Sequence, residues 1–178
     1  ADRAFAGKVA FAERFGADTV GSVEWAVNWT PQRDAFVSSY CNTIPTPEGG
    51  THEQGFWAAI LKGIRGYGEL AGNRKAAQIT RDDVMAGGSA MISVFIREPE
   101  FVGQTKDRLA TTEAARLVEG AVKDHFDNWL ASDTRSAGAI LDFLERCRRN
   151  PADIQHGLVP YVFVEPFMDF FPRDHFGR

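Results

Sequence analysis

SAMISVFIR, Ser89 to Arg97, is dense in β-branched and apolar residues, a composition that predicts a strand covered on both faces and therefore central to a sheet. Gly87-Gly88 precedes it and the polar stretch Glu98 to Lys106 follows as a loop, so both ends are marked. Upstream, SVEWAVNW (Ser22 to Trp29) sets Val23, Trp25, Val27 and Trp29 against Ser22, Glu24, Ala26 and Asn28, the period of two of a half-buried strand. AFVSSYC, from Ala35 to Cys41, alternates in the same way. Thr30 to Asp34 reads as a short polar turn, so these two strands are expected to pair directly as an antiparallel hairpin.

Helical patterns fill the rest of the chain. Asn42 to Gly50 contains two prolines and two adjacent glycines, which exclude a regular element there. Thr51 is placed as the cap of a helix reaching about Leu70, with Phe56, Ala59, Ile60, Ile64 and Tyr67 on one face. Gly63, Gly66 and Gly68 weaken that helix and predict close packing against a neighbour, so that Gly66→Leu is expected to destabilise the fold. Asn73 to Gln78 reads as a polar, basic loop. Thr80-Arg81-Asp82-Asp83 reads as the start of a short helix, its acidic pair explained by the helix dipole. A long helix capped at Thr111 or Thr112 carries Ala114, Leu117, Val118, Ala121, Val122, Phe126 and Trp129 as a core stripe. Another restarts at Ser132-Asp133-Thr134 with Ala137, Ile140, Leu141 and Leu144, and ends in the cationic Arg146-Cys147-Arg148-Arg149 before Asn150-Pro151. Beyond that point Tyr161, Phe163, Phe167, Phe170, Phe171 and Phe176 are interleaved with Pro160, Pro166 and Pro172. The expected organisation is one domain over residues 1–150 and an aromatic-rich tail over 151–178.

With 178 residues, 44% of them hydrophobic, the chain can bury one sizeable core. Its formal charge of -4 gives no support to a generic polybasic nucleic-acid binder or membrane-surface anchor. Cys41 and Cys147 form no CxxC and lie far apart, which argues for neither a disulfide framework nor a zinc site and makes a reducing, cytoplasmic setting the expectation. No run approaches the roughly 18 apolar residues of a membrane-spanning helix, and the N-terminus lacks the pattern of a signal peptide. Ala1 stands where an initiator methionine is expected, so the chain reads as a piece of something longer.

The catalytic patterns that a chain can carry by itself are missing. No pair among His52, His125, His156 and His175 has the HExxH spacing, so no metal site is expected. Neither the GxSxG elbow nor the phosphate-cradling GxxxxGK[ST] and GxGxxG patterns occur, so any nucleotide contact is an accessory one. One loop suits such a contact: Phe101-Val102-Gly103-Gln104-Thr105-Lys106. Gly103 permits a tight turn, Gln104 offers an amide, and Lys106 supplies a compact, mobile cation matched to a terminal phosphate.

Three blocks in fixed order carry a family resemblance: SSYCNTIPTPEGGTHEQGF from Ser38 to Phe56, SVFIREPEFVGQTKDRLATTEA from Ser93 to Ala114, and VKDHFDNWL from Val122 to Leu130. Together they closely resemble the transducer domain of type IIA DNA topoisomerase ATPase subunits, in wording nearer to the topoisomerase IV branch than to gyrase. The likeness runs from about Phe5 to about Cys147. It implies an α+β fold of the ribosomal-protein-like, left-handed βαβ type, with a mixed sheet packed against helices. Such a domain sits between an N-terminal GHKL ATPase domain and a C-terminal TOPRIM domain.

The resemblance also implies a site. The family's QTK loop falls on Gln104, Thr105 and Lys106, and reaches ATP held by the ATPase domain of the same polypeptide, with Gln104 and Lys106 on the γ-phosphate. Magnesium belongs to the parent enzyme and is not held by this segment. The implied partners are the ATPase and TOPRIM domains, a second B subunit that dimerises with ATP, the A subunit of topoisomerase IV, and double-stranded DNA, in a nucleoid-associated cytoplasmic setting with no membrane. EGGTHE, Glu48 to Glu53, reads as architecture, its two glycines bringing backbone close at the helix start. In the family that helix lines the cavity receiving the transported duplex, and the residue after Gly-Phe is usually arginine. Here it is Trp57, which leaves Lys62, Arg65, Arg74 and Lys75 as the candidate phosphate contacts. The segment alone lacks the family's ATPase base and TOPRIM acidic cluster and is expected to be inactive by itself. The alternatives are a gyrase B transducer, or a non-enzymatic binding module that uses the aromatic tail as its contact surface.

Overall fold

A computed structural model of the chain describes residues 5–29 and 35–151. Strand β1 (Phe5–Ala10) runs into a short helix α1 (Phe11–Phe15), and strands β2 (Ser22–Trp29), β3 (Val37–Cys41) and β4 (Ile44–Pro45) follow. Next come the long helix α2 (Thr51–Leu70), a 3-10 turn (Arg74–Gln78), helix α3 (Arg81–Ala86) and strand β5 (Gly88–Phe95). Strands β6 (Phe101–Val102) and β7 (Arg108–Leu109) and helices α4 (Thr112–Ser132) and α5 (Thr134–Arg149) complete the order. The expected turn at Thr30 to Asp34 and the aromatic tail lie outside the described residues, the latter from Ala152 onward.

Strand β5 is central, as its composition predicts, in a five-stranded mixed sheet of order β1-β2-β5-β3-β4. It pairs antiparallel with β2, from Ser22↔Phe95 to Trp29↔Gly88, and parallel with β3, from Val37↔Ala90 to Cys41↔Val94. The expected direct pairing of β2 with β3 is therefore not formed. All of β5 except Phe95 is buried. An edge position would leave one row of its backbone groups unpaired, whereas insertion between β2 and β3 satisfies both rows. The parallel pair requires a crossover, and the chain makes it through α2.

Four strands escape the sequence pattern: β6, inside the stretch Glu98 to Lys106 expected as a loop, β7 just after it, β4, inside the Asn42 to Gly50 stretch expected to hold no regular element, and β1. β1 pairs antiparallel with β2 from Phe5↔Val27 to Ala10↔Ser22, and its Gly7 lies under the Trp25 indole, where a β-carbon would meet the ring. β4 arises because Asn42 and Thr43 take φ of +49° and +67°, turning the chain tightly from β3 back along it. The Asn42 side chain fixes this turn to the end of β5, accepting from Ile96 N–H at 3.0 Å and donating to Ile96 O at 2.9 Å.

One apolar cluster joins the sheet face of Val23, Trp25, Val27, Ile92, Val94 and Cys41 to Phe56, Ile60 and Ile64 of α2 and Leu117, Val118, Val122 and Phe126 of α4. Both expected helix stripes are thus core. So is that of α5, where Phe143 and Cys147 join Ala137, Ile140, Leu141 and Leu144. The capping pattern is more varied. Thr80 and Asp83 form a reciprocal capping box at α3. Asp133 caps α5, accepting from Ser136 N–H at 3.0 Å, and that bond holds its carboxyl below the usual range. Thr51, expected as a cap, is instead the first residue of α2 behind Gly50. Asn73 to Gln78, expected as a loop, winds into the 3-10 turn, with Asn73 Oδ1 accepting from Lys75 N–H.

The glycines of α2 differ in what they face. A β-carbon at Gly55 would run into the Ala115 carbonyl of α4, one at Gly63 into the Phe126 ring, and one at Gly68 into Ala76. Gly66 has nothing within 4 Å, so the expectation that it packs closely is overturned, and with it the basis for destabilisation by a larger residue there. We therefore expect Gly66→Ala to stabilise the fold by up to about 1 kcal/mol through helix propensity. Gly55→Ala should cost about 1–3 kcal/mol through overpacking. Urea denaturation of the two variants measures both, and shifts of the same sign would contradict this packing.

Candidate functional site

β6 and β7 form a small antiparallel hairpin, Phe101↔Leu109 and Val102↔Arg108, whose tip carries Gln104, Thr105 and Lys106 side by side and exposed. Gly103 takes φ +77° and Lys106 φ +59°. The latter is a left-handed conformation that costs a residue with a β-carbon of order 1 kcal/mol. The Lys106 ammonium lies 5.8 Å from the centroid of the Phe101 ring, and the Thr105 hydroxyl donates to the Asp107 carboxylate. The tip therefore presents the Gln104 amide and the Lys106 ammonium together as donors complementary to phosphate oxygens, while the Thr105 hydroxyl proton is held by Asp107.

The base of the hairpin is hung on two helices. Glu48 N–H donates to Asp107 O at 2.9 Å, Leu109 N–H donates to Gly49 O at 3.1 Å, and Gly50 bridges Leu109 in parallel. Gly49 and Gly50 take φ of +69° and +142°, and a β-carbon on Gly50 would lie 2.6 Å from Leu109 N. The EGG turn is thus architectural, and its glycines allow the close approach expected of them. On the other side Ala110 N–H donates to Glu100 O at 2.7 Å and Glu100 N–H to Thr111 Oγ1 at 2.8 Å. Thr51 Oγ1 closes the arrangement by donating to Thr111 O at 2.7 Å, tying the first turns of α2 and α4 together.

Behind the glycines lies a buried polar chain that sequence reasoning did not single out. Ser39 Oγ is 2.8 Å from Thr46 Oγ1 and 3.0 Å from Thr46 O, and Thr46 Oγ1 is 3.2 Å from His52 Nε2. Ser39 also reaches Glu53 Oε2 at 3.4 Å. His52 Nδ1 is buried with no hydrogen-bond partner. A proton on Nε2 donates to Thr46 and leaves only a lone pair unmatched at Nδ1, which costs less than a stranded N–H. Burial pushes the His52 imidazole down to about 4 and raises the Glu53 carboxyl above its ordinary range. The sequence signal was the flanking of Pro47 to Thr51 by Thr46 and His52, two polar residues able to bond across the turn.

The four candidate DNA-facing cations separate into two kinds. Lys62 pairs with Glu119, and Arg65 donates through Nε and Nη2 to Ile79 O at 2.9 and 2.6 Å, so both are engaged within the chain. Arg74 and Lys75 stand exposed on the 3-10 turn. Lys62 and Arg65 lie roughly 15–20 Å along α2 from the hairpin anchor, at 1.5 Å per residue. Trp57 is fully buried against Phe56, with ring centroids 5.1 Å apart, and faces Gly88 rather than solvent. Among the described residues no group of three or more His, Cys, Asp or Glu is gathered to hold a metal, and no helix is long and apolar enough to cross a membrane.

The profile of the DNA gyrase B family matches residues 3–154, and the chain belongs to that family. Within it, the chain is 54% identical over 144 residues to the B subunit of DNA topoisomerase 4 from Caulobacter vibrioides, covering 79% of this chain and 20% of that one. It is 57% identical over 124 residues to the corresponding topoisomerase 4 protein of Bartonella bacilliformis, covering 70% of this chain and 18% of that one. The chain thus spans about a fifth of the length of these relatives. The topoisomerase IV ATP binding domain of Francisella tularensis, solved with a small molecule inhibitor, superposes with a TM-score of 0.68 at 28% identity, covering 83% of this chain and 39% of that one.

A buried neutral imidazole makes stability depend on pH with a known sign. Between pH 6.5 and about 4 the unfolded chain takes up a proton on His52 that the folded chain refuses. Stability therefore falls on acidification across that window, by up to about 3 kcal/mol from this residue. Glu53 acts in the opposite direction: its raised folded pKa gives a contribution present at low pH and lost as pH rises through that value. Guanidinium unfolding at pH 7 and pH 5 should show a drop for the wild type that His52→Gln reduces, and an unchanged drop would contradict the buried neutral state.

Proposed function

We propose that residues 1–150 are the transducer domain of a topoisomerase IV B subunit, in which Gln104, Thr105 and Lys106 sense the γ-phosphate of ATP held by the adjoining GHKL ATPase domain. The observation that carries this reading is the exposed Gln104-Thr105-Lys106 tip on a hairpin bonded through its base to the start of α2. The parallel pairing of β3 with β5 through α2 supports the βαβ unit of the ribosomal-protein-like transducer fold. Membership of the DNA gyrase B family and the 54% and 57% identities to topoisomerase 4 B subunits support the branch. Gyrase B remains the nearest alternative within the family.

ATP, with magnesium bound in the ATPase domain, supplies the γ-phosphate whose presence or absence the tip reads. Gln104 donates its amide to a phosphate oxygen, and Lys106 places its ammonium against the terminal charge. A contact available only in the ATP state gives differential affinity between the two nucleotide states, which is the requirement for a ligand to shift a conformational equilibrium. Release of that contact after hydrolysis frees the domain to move relative to its ATPase neighbour, and dimerisation with a second B subunit turns the motion into gating of a captured duplex. Arg74 and Lys75, exposed on the 3-10 turn, are the stronger candidates for phosphates of that duplex. The partners are then the ATPase and TOPRIM domains, a second B subunit, the A subunit of topoisomerase IV, and double-stranded DNA, in the cytoplasm.

In the intact subunit, Lys106→Ala is expected to lower ATP turnover by about tenfold or more, as removal of a charge-stabilising donor does. The melting temperature should stay unchanged, since the side chain is exposed. Near-normal turnover in an ATPase assay would overturn the assignment.

A further inference from the structure

The turn from Pro47 to Thr51 carries every backbone group that holds β7 from below: Glu48 N–H, Gly49 O and the Gly50 bridge. With φ of +69° and +142°, its two glycines have no side chains to restrain them, so the turn has little rigidity of its own. The residues on either side supply it. Thr46 and His52 flank the turn and bond to each other across its mouth at 3.2 Å, and both are buried, at 1% and 0% exposure. Ser39, on β3, anchors this staple to the sheet through Thr46 Oγ1 and Thr46 O, and Thr46 O also accepts from Gly49 N–H at 2.8 Å.

We infer that Thr46 and His52 are positioning residues for the Gln104–Lys106 tip: their mutual hydrogen bond clamps the glycine turn, and the clamped turn sets where the hairpin stands relative to α2. The inference deepens the phosphate-sensing reading and rests on it for its functional consequence. The groups facing the staple are Ser39 from β3 and Glu53 from α2, with the cationic Arg81 near enough to act on the Glu53 carboxyl. Without the staple the hairpin keeps its fold but gains freedom at its base, so Lys106 meets the phosphate in a smaller fraction of conformations.

The test compares Thr46→Val, which keeps shape and removes the hydroxyl, with Thr46→Ser, which keeps the hydroxyl. Amide hydrogen exchange on the full chain reads the clamp without any nucleotide. In Thr46→Val, Leu109 and Glu48 should exchange about tenfold faster, the scale of one lost buried hydrogen bond, while Ile92 in β5 stays within about twofold. Thr46→Ser should restore protection. Leu109 changing in step with Ile92, or not changing at all, would overturn the clamp.

ATP turnover in the intact subunit then supplies a double-mutant cycle. Thr46→Val should lower turnover at limiting ATP in the wild-type background and have no further effect when Lys106 is already alanine. An equal loss in both backgrounds would overturn positioning through Lys106. If Lys106→Ala alone proves silent, the phosphate-sensing reading fails by itself, and the exchange data still decide whether the staple holds the hairpin.

Discussion

Pairing of β5 on both sides is the constraint from which the architecture follows. Its residues from Gly88 to Val94 are buried, so their backbone groups have no water to bond and must find two neighbouring strands. β2 supplies one row and β3 the other, and because β3 runs parallel to β5 the chain must cross over between them. The crossover places α2 against the sheet, α4 packs along α2 at Gly55 and Gly63, and the short hairpin before α4 is thereby brought to the start of α2. The position of the tip is thus a consequence of how the central strand is satisfied.

Chemistry at that tip is modest in each part and specific in combination. A single exposed lysine has many possible partners, but an amide and an ammonium on one tight turn, on a hairpin bonded at both ends to helix starts, form a directed donor set. The buried Ser39, Thr46 and His52 lie out of reach of solvent and act on the tip only through backbone.

How much of this the sequence revealed depended on whether the signal was local. β5 was legible from Ser89 to Arg97 because β-branched residues crowd there, and α4 and α5 because their stripes repeat at helical spacing. β1 was not, since Gly7 and two alanines give it little strand character; it is completed by the Trp25 ring that covers Gly7 and by pairing with β2. Direct pairing of β2 with β3 was the natural local reading, and the non-local demand of β5 for two partners displaced it. Of the candidate site, Gln104 to Lys106 stood out only through the family resemblance, the loop's own residues being a weak signal. The staple did not, because Thr46 and His52 meet only once the turn between them is folded, and Trp57 looked like a surface departure until its burial beside Phe56 and Gly88 made it part of the core.

At 20 residues, α2 is a rod roughly 30 Å long. Its start carries the hairpin, and its far half carries Arg65, which holds the segment leading into α3 by the Ile79 carbonyl. The near-touching backbones at Gly55 and the ring of Phe126 over Gly63 hold the rod against α4 at two points about 12 Å apart along its length. Two contacts so spaced leave the rod no tilt of its own, so α2 can shift only together with α4, and the hairpin at its start and the Arg65 contact in its far half belong to one body.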